Sequence, residues 1–363
     1  MATRIRFIVL AVSLGCLIPA AALCDADTGV DGQVLKLIQS GEHQIIQEDD
    51  GQRIVMEGFR GSMGPGRPAL PVKNFLIALP PGARVQSVEI EGVGMTELPN
   101  TYRIAPVSSL LPIADPALVP DLMSRMNQEW RASYDMTYGS DTGYPEDIGW
   151  LSSAGSLRKY AYAGISFCPF RYHPQSGRLI HFDAARVTIH YTVPSPGSAE
   201  AQRAEELTWD TLADSQAARL FMNFDEVRGL YEPSGSRPKG MTQTHDYVII
   251  THSSLVSAVT SSDFISWKTS LGYNVRIVLT TDPEIQSQSG LLLEARIRNF
   301  LRNYYGPWGI QYVLLVGDHI TVPMRYCYPD PNDHTHNPNN YGNPGGSVPT
   351  DSYYADLSLP DSE

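Results

Sequence analysis

Cys327, His334 and His336 stand close together in one stretch of the chain. A thiol beside an imidazole can serve as nucleophile and base, and the same atoms can ligate a metal. The stretch that holds the two histidines, PDPNDHTHNPNNYGNPGG, is polar and rich in turn formers, so they also read as ordinary hydrophilic loop residues. The two-pair spacing common to zinc sites is missing. Asp318 and His319 follow an apolar run, Tyr312 to Val316, and a glycine. A carboxylate and an imidazole at a strand's carboxyl end could wall a site or support a catalytic pair; equally, Asp318 could cap the following turn with His319 facing water. Asp351, Asp356 and Asp361 offer the hard oxygen donors that suit calcium at extracellular concentrations, although acidic loop residues are also simply solvated. Arg228 and Lys239 are basic positions in a stretch of flexible composition where a protease could cut, whereas Pro238 hinders cleavage after Arg237.

The elements that must position these groups change character along the chain. From about 31 to 195 the pattern is β. Arg53 to Phe59 alternates, Phe75 to Leu79 is an apolar strand, and a Pro80-Pro81-Gly82 turn leads into alternation through Val85, Val88 and Ile90. A helix is expected near Leu122 to Tyr134. Strands resume at Lys159 to Tyr172, turn at His173 to Gly177, and continue as RLIHF and then ARVTIHYTV. Residues 194–243 open on PSPGS and approach their end with EPSGSRPKG, which predicts a flexible connector, taken as 196–243, with a short helix between Leu207 and Phe221. From Asp246 the order becomes strand, helix, strand, helix, strand: YVIIT, then Phe264, Trp267 and Leu271 on one helical face, NVRIVLT, then Leu293, Ile297, Phe300 and Leu301 on another face, and YVLLV. That order predicts a parallel sheet, and the continuous apolarity of Tyr312 to Val316 predicts a strand buried on both faces.

The 363 residues allow two domains and a short extra segment. A net charge of -12 gives no electrostatic support for nucleic-acid binding. No GxGxxG or Walker motif follows the first strand of the α/β segment, which disfavours a nucleotide cofactor. Arg4 and Arg6, the apolar run Phe7 to Ile18, and Ala20-Ala21-Ala22 read as a cleavable secretion signal over residues 1–24. Export would permit disulfides, but Cys168 and Cys327 are far apart and form no framework.

The stretches YVIIT, FISWKTSLGYNVRIV, IRNFLRNYY, YVLLVGDHITVP and VPTDSYYADL together resemble the amino-terminal part of the gingipain-type cysteine peptidase domain (family C25). PALPVKNFLIALPPGARVQSVEI and FCPFRYHPQSGRLIHFDAARVTIHY resemble the propeptide that precedes it. The resemblance implies a multidomain chain: signal peptide 1–24, a β-rich, sandwich-like prodomain over 30–195, a connector over 196–243, and a truncated α/β caspase-like three-layer domain over 244–363. It implies the zymogen of a secreted cysteine endopeptidase that acts on protein or peptide substrates. Its prodomain would pack on its own catalytic domain, and no membrane attachment would remain after signal cleavage. In such an enzyme a thiolate attacks the scissile carbonyl and an imidazole moves the proton, with no cofactor required. The family's histidine lies in a Gly-His-Gly context and its cysteine follows a later strand. Neither occurs here, so the chain is expected to be an inactive amino-terminal fragment with no catalytic residue of its own, Asp318 and His319 being at most supports. Asp351 matches an acidic position of the family's motif. A non-catalytic binding or adhesion protein with a degenerate peptidase-like domain is the alternative, and the isolated propeptide could also act as an inhibitor.

Overall fold

The computed structural model describes residues 29–60, 64–109, 120–236, 244–327, 348–355 and 357. The β-rich half is built on three sheets. β1 (Val30–Gln39) and β5 (Arg84–Glu97) flank β9 (Arg178–Val193), which also pairs with β8 (Phe170–His173). A second sheet runs β4 (Lys73–Ala78), β7 (Tyr160–Phe167), β6 (Gly149–Leu157), and a hairpin joins β2 (His43–Glu48) to β3 (Gly51–Met56). All ladders between these strands are antiparallel. Inward residues from every sheet meet in one core, among them Ile38, Ile54, Ile77, Ile165, Phe167, Phe170, Val187 and Ile189. Each such side chain, removed from water, contributes about 1.5–3 kcal/mol.

The two segments expected as RLIHF and ARVTIHYTV are one sixteen-residue strand. The ladder carries through Asp183 because both neighbours bridge the join: Met95 to Glu97 of β5 face Phe182 to Ile180, and Gln39 of β1 faces Ala184. The expected helix is α1 (Pro120–Tyr138). Trp130, Tyr134 and Tyr138 stack at successive i, i+4 positions, and Trp130 Nε1 and Tyr138 Oη donate to the carbonyls of Val107 and Ile104 at 2.7 and 2.8 Å.

The segment read as an open connector is mostly built structure. It holds α2 (Ala199–Leu207), α3 (Asp214–Leu220), α4 (Phe224–Val227) and a 3-10 turn over Arg228–Tyr231. Ala213, Ala217, Phe221, Val227 and Tyr231 are buried with Ala78 and Tyr160 of the β layer. Small residues let the helices approach closely, and aromatic residues fill the space. Asn223 imitates a strand partner: Ala78 N–H donates to its Oδ1 at 2.8 Å and its Nδ2 donates to Ala78 O at 2.9 Å.

In the second half, β10 (Tyr247–Thr251) lies between β11 (Val275–Leu279) and β12 (Tyr312–Val316), all parallel. One face packs on α8 (Leu293–Trp308) through Val248, Ile250, Ile297, Phe300 and Leu301. The other packs on α5 (Val256–Ser261) and α6 (Phe264–Ser270) through Ile249, Val259, Phe264 and Ile265. A short helix, α7 (Pro283–Gln286), precedes α8. The strand buried on both faces is therefore β10, every residue of which is buried, and not β12. β12 is an edge strand among the described residues; Tyr312 and Val313 are exposed, and Leu314 to Val316 are half-buried. Beyond it, β13 (Arg325–Cys327) pairs antiparallel with β14 (Val348–Thr350), followed by α9 (Ser352–Ala355).

Candidate functional site at the domain interface

The strand-end pair does local work. Asp318 is exposed, and its carboxylate accepts from the Thr321 hydroxyl at 2.8 Å and from the N–H groups of Thr321 and Ile320 at 2.9 and 3.1 Å. These hydrogen bonds, the Thr321 hydroxyl first, hold its acidity below the usual carboxylate range. Asp318 thus closes the turn after β12, and His319 beside it is exposed. Asp351 is exposed at the start of α9, where its carbonyl accepts from Tyr354 N–H at 3.0 Å. The rest of that motif is an anchor. Tyr353 lies between Arg298 and Arg325, at 4.9 and 5.3 Å from the guanidinium carbons, and buried Tyr354 donates to Pro323 O.

Asp356 and Asp361, the other calcium candidates, lie outside the described residues, as do Lys239, His334 and His336. Among the described residues no group of three or more His, Cys, Asp or Glu is disposed to hold a metal ion. The backbone of Cys327 is paired with Val348. Arg228 is exposed and sits 3.8 Å from Asp225, in the 3-10 turn between buried Val227 and Tyr231.

The densest polar constellation involves residues that the sequence does not mark. Between β6 and β7 the chain turns at Arg158, whose φ of 52° is the one positive value outside glycine among the described residues. Arg158 Nε donates to Asp210 Oδ2 at 2.5 Å; Nη1 and Nη2 donate to the carbonyls of Ile310 and Tyr305 at 2.8 and 3.3 Å. Those carbonyls lie at and just beyond the last turn of α8, the negative end of its dipole. Arg158 lines two clefts of about 680 and about 440 Å³ along the junction of the two halves. The only signal in the sequence is a negative one: SLRKYA has no Gly or Asn where a tight hairpin would favour it.

A second constellation lies inside the β-rich half. His181 lies 3.2 Å from Ser40 Oγ and 3.4 Å from Asp183 Oδ1, and its ring is 4.8 Å from that of His43. The order Ser, His, Asp resembles a hydrolytic triad in line only. Ser40 is buried, and its hydroxyl also has the Asp183 carbonyl as an acceptor at 2.9 Å. Burial lowers the basicity of both imidazoles; for His181 the nearby His43 adds to this and Asp183 opposes it.

Residues 39–228 match the family profile for the C25 propeptide, and residues 241–362 match that of peptidase family C25. The chain belongs to the gingipain-type C25 peptidases. Similar curated proteins from Porphyromonas gingivalis are gingipain R2, 24% identical over 263 residues (72% of this chain and 32% of the relative), and gingipain R1, 24% identical over 264 residues (72% and 23%). The chain therefore spans a third or less of the length of these relatives. Among solved structures it is similar to a complex of the Porphyromonas gingivalis RgpB pro- and mature domains, at 16% identity and TM-score 0.37, covering 54% of this chain and 93% of that one. It is also similar to a gingipain K structure concerned with zymogenic latency, at 16% identity and TM-score 0.32, covering 47% and 96%. In C25 terms, Arg158 and Asp210 fall within the propeptide match, while Tyr305 and Ile310 fall within the peptidase match. The constellation thus joins the two matched regions, and the prodomain packs on the α/β domain through it.

Proposed function

We propose that these 363 residues are the secretion signal, prodomain and first part of the catalytic domain of a C25 cysteine endopeptidase made as a zymogen. The single observation that carries this is the order of the two family matches on one chain, propeptide over 39–228 and peptidase over 241–362, with the first packed on the second. The sandwich-like prodomain and caspase-like catalytic domain expected from the sequence fit the antiparallel core and the helix-covered parallel sheet.

The full-length enzyme would cleave protein or peptide substrates with a thiolate nucleophile and an imidazole base, without a resident cofactor. We read both groups as belonging to sequence after Glu363, because no Gly-His-Gly stands in these residues. Asp318 is read as a support of the strand end, through its hydrogen bonds to Thr321 and Ile320. Secretion rests on the signal pattern of residues 4–22; no described helix is long and apolar enough to cross a membrane. Activation would follow a cut beyond Glu232. Arg228 is a poor site because a protease needs extended backbone, and here it is held helical between two buried neighbours, which leaves Lys239 as the better basic candidate. Sequencing the coding frame past Glu363 tests the proposal. A Gly-His-Gly and a later Cys are expected; their absence would favour a binding or adhesion protein on a peptidase-like scaffold.

A further inference from the structure

Each nitrogen of the Arg158 guanidinium has a partner, and those partners belong to both domains. Asp210, on the prodomain side, is fully buried, and its second oxygen accepts from Leu212 N–H at 3.1 Å. The carboxylate is therefore fixed before it meets the arginine. Lys159, the other residue of the turn, is held in the same way, 3.0 Å from Asp214 and donating to Thr208 O at 3.2 Å. Across the junction the guanidinium lies over the Tyr305 ring at 5.2 Å and meets the carbonyls of Tyr305 and Ile310. Tyr305 Oη returns a hydrogen bond to Arg158 O at 3.4 Å, and burial pushes this phenol up to about 12, so it keeps its proton.

We propose that Arg158, positioned by Asp210, is the anchor that keeps the prodomain bound to the peptidase domain after the connector has been cut. This rests on the zymogen reading and adds a named contact to it. A planar cation with several donors suits carbonyls at a helix's carboxyl end better than a point charge does. Its loss leaves the fully buried Asp210 carboxylate without its cation and the Ile310 carbonyl without this donor, while the Tyr305 carbonyl keeps Ile310 N–H at 2.9 Å, so the effect exceeds that of an exposed contact such as Arg203 to Asn303. The backbone of Arg158 gains nothing from the arginine, since a φ of 52° suits Gly better. The side chain therefore has its use at the junction.

The test uses the full chain with a sequence-specific protease site in place of residues 237–243, cut to completion and passed over a size-exclusion column across a concentration series. The wild-type pieces are expected to co-elute. In R158G, which keeps the turn's backbone, they are expected to separate, with affinity lower by about 100-fold. D210N should weaken association in the same direction, and R158K, which can serve fewer acceptors, should fall between. Co-elution of R158G with wild-type affinity overturns the proposal. If R158G disturbs the prodomain's own melting, R158K decides: unchanged affinity there overturns it too. Association is read here without any hydrolysis. A longer protein devoid of peptidase activity would thus defeat the zymogen reading and leave this result standing.

Discussion

Protonating His43 or His181 places a charge where both rings are partly shielded from water, His43 edge-on to Phe170 and tilted against His181, which is itself tilted against Phe170. An imidazole whose folded value is depressed binds its proton more readily in the unfolded chain. The stability contributed by the neutral pair is therefore full above about pH 6.5 and is lost as the pH falls through the depressed folded values. The groups facing the pair are Ser40, Phe170 and Asp183, and of these only Asp183 favours protonation. Urea midpoints measured from pH 7.5 to 5 should fall for the wild type and fall less for H43F, which keeps an aromatic ring and removes one titration; parallel slopes would refute this. Cys168 behaves oppositely to a catalytic thiol. It is completely buried, its sulfur donates to Phe170 O at 3.4 Å, and burial pushes it up to about 12. Mass mapping after treatment of the folded chain with a thiol reagent should find Cys168 unlabelled, with labelling only in denaturant.

At the scale of elements, the region after β9 is stapled to the prodomain. Tyr231 Oη accepts from Ala161 N–H at 3.0 Å and donates to Leu79 O at 2.5 Å, while Asn223 satisfies both backbone groups of Ala78. Y231F leaves a buried donor and a buried acceptor without this partner and should cost about 1–3 kcal/mol in urea unfolding; N223A should cost a similar amount. Loss of either contact should also make Arg228 more open to limited trypsin digestion. This packing is hard to see in the sequence because Ser, Pro and Gly at both ends of 196–243 mark exposure only locally, and although the buried Ala213, Ala217 and Phe221 are spaced i, i+4, i+8, two of them are small and the larger Leu212 and Leu220 of the same run are exposed. The parallel half is far more legible. The apolar run of β10 and the helical spacing of Leu293, Ile297, Phe300 and Leu301 report burial directly. What an apolar run does not report is position in the sheet: YVIIT and YVLLV look alike, yet one is central and the other an edge. Arg158 is illegible for a different reason, since its partners at 210, 305 and 310 come together only by tertiary packing.

On the scale of the whole molecule, the β-rich and α/β halves have separate cores and meet at a polar junction, and among the described residues the first half's core residues end at Tyr231 while the second half's begin at Tyr247. Amino-terminal sequencing of the matured enzyme should place the new terminus within residues 233–245. A terminus at Gly229, which cleavage after Arg228 would leave, would mean that the 3-10 turn opens before cleavage. The central claim is tested most directly by casein hydrolysis, measured with the purified protein whose coding frame carries these residues, before and after maturation and with or without a thiol-alkylating reagent. The matured protein is expected to hydrolyse casein and to lose that activity on alkylation, while the 363-residue chain alone shows none. No hydrolysis after maturation, or hydrolysis that survives alkylation, would contradict it.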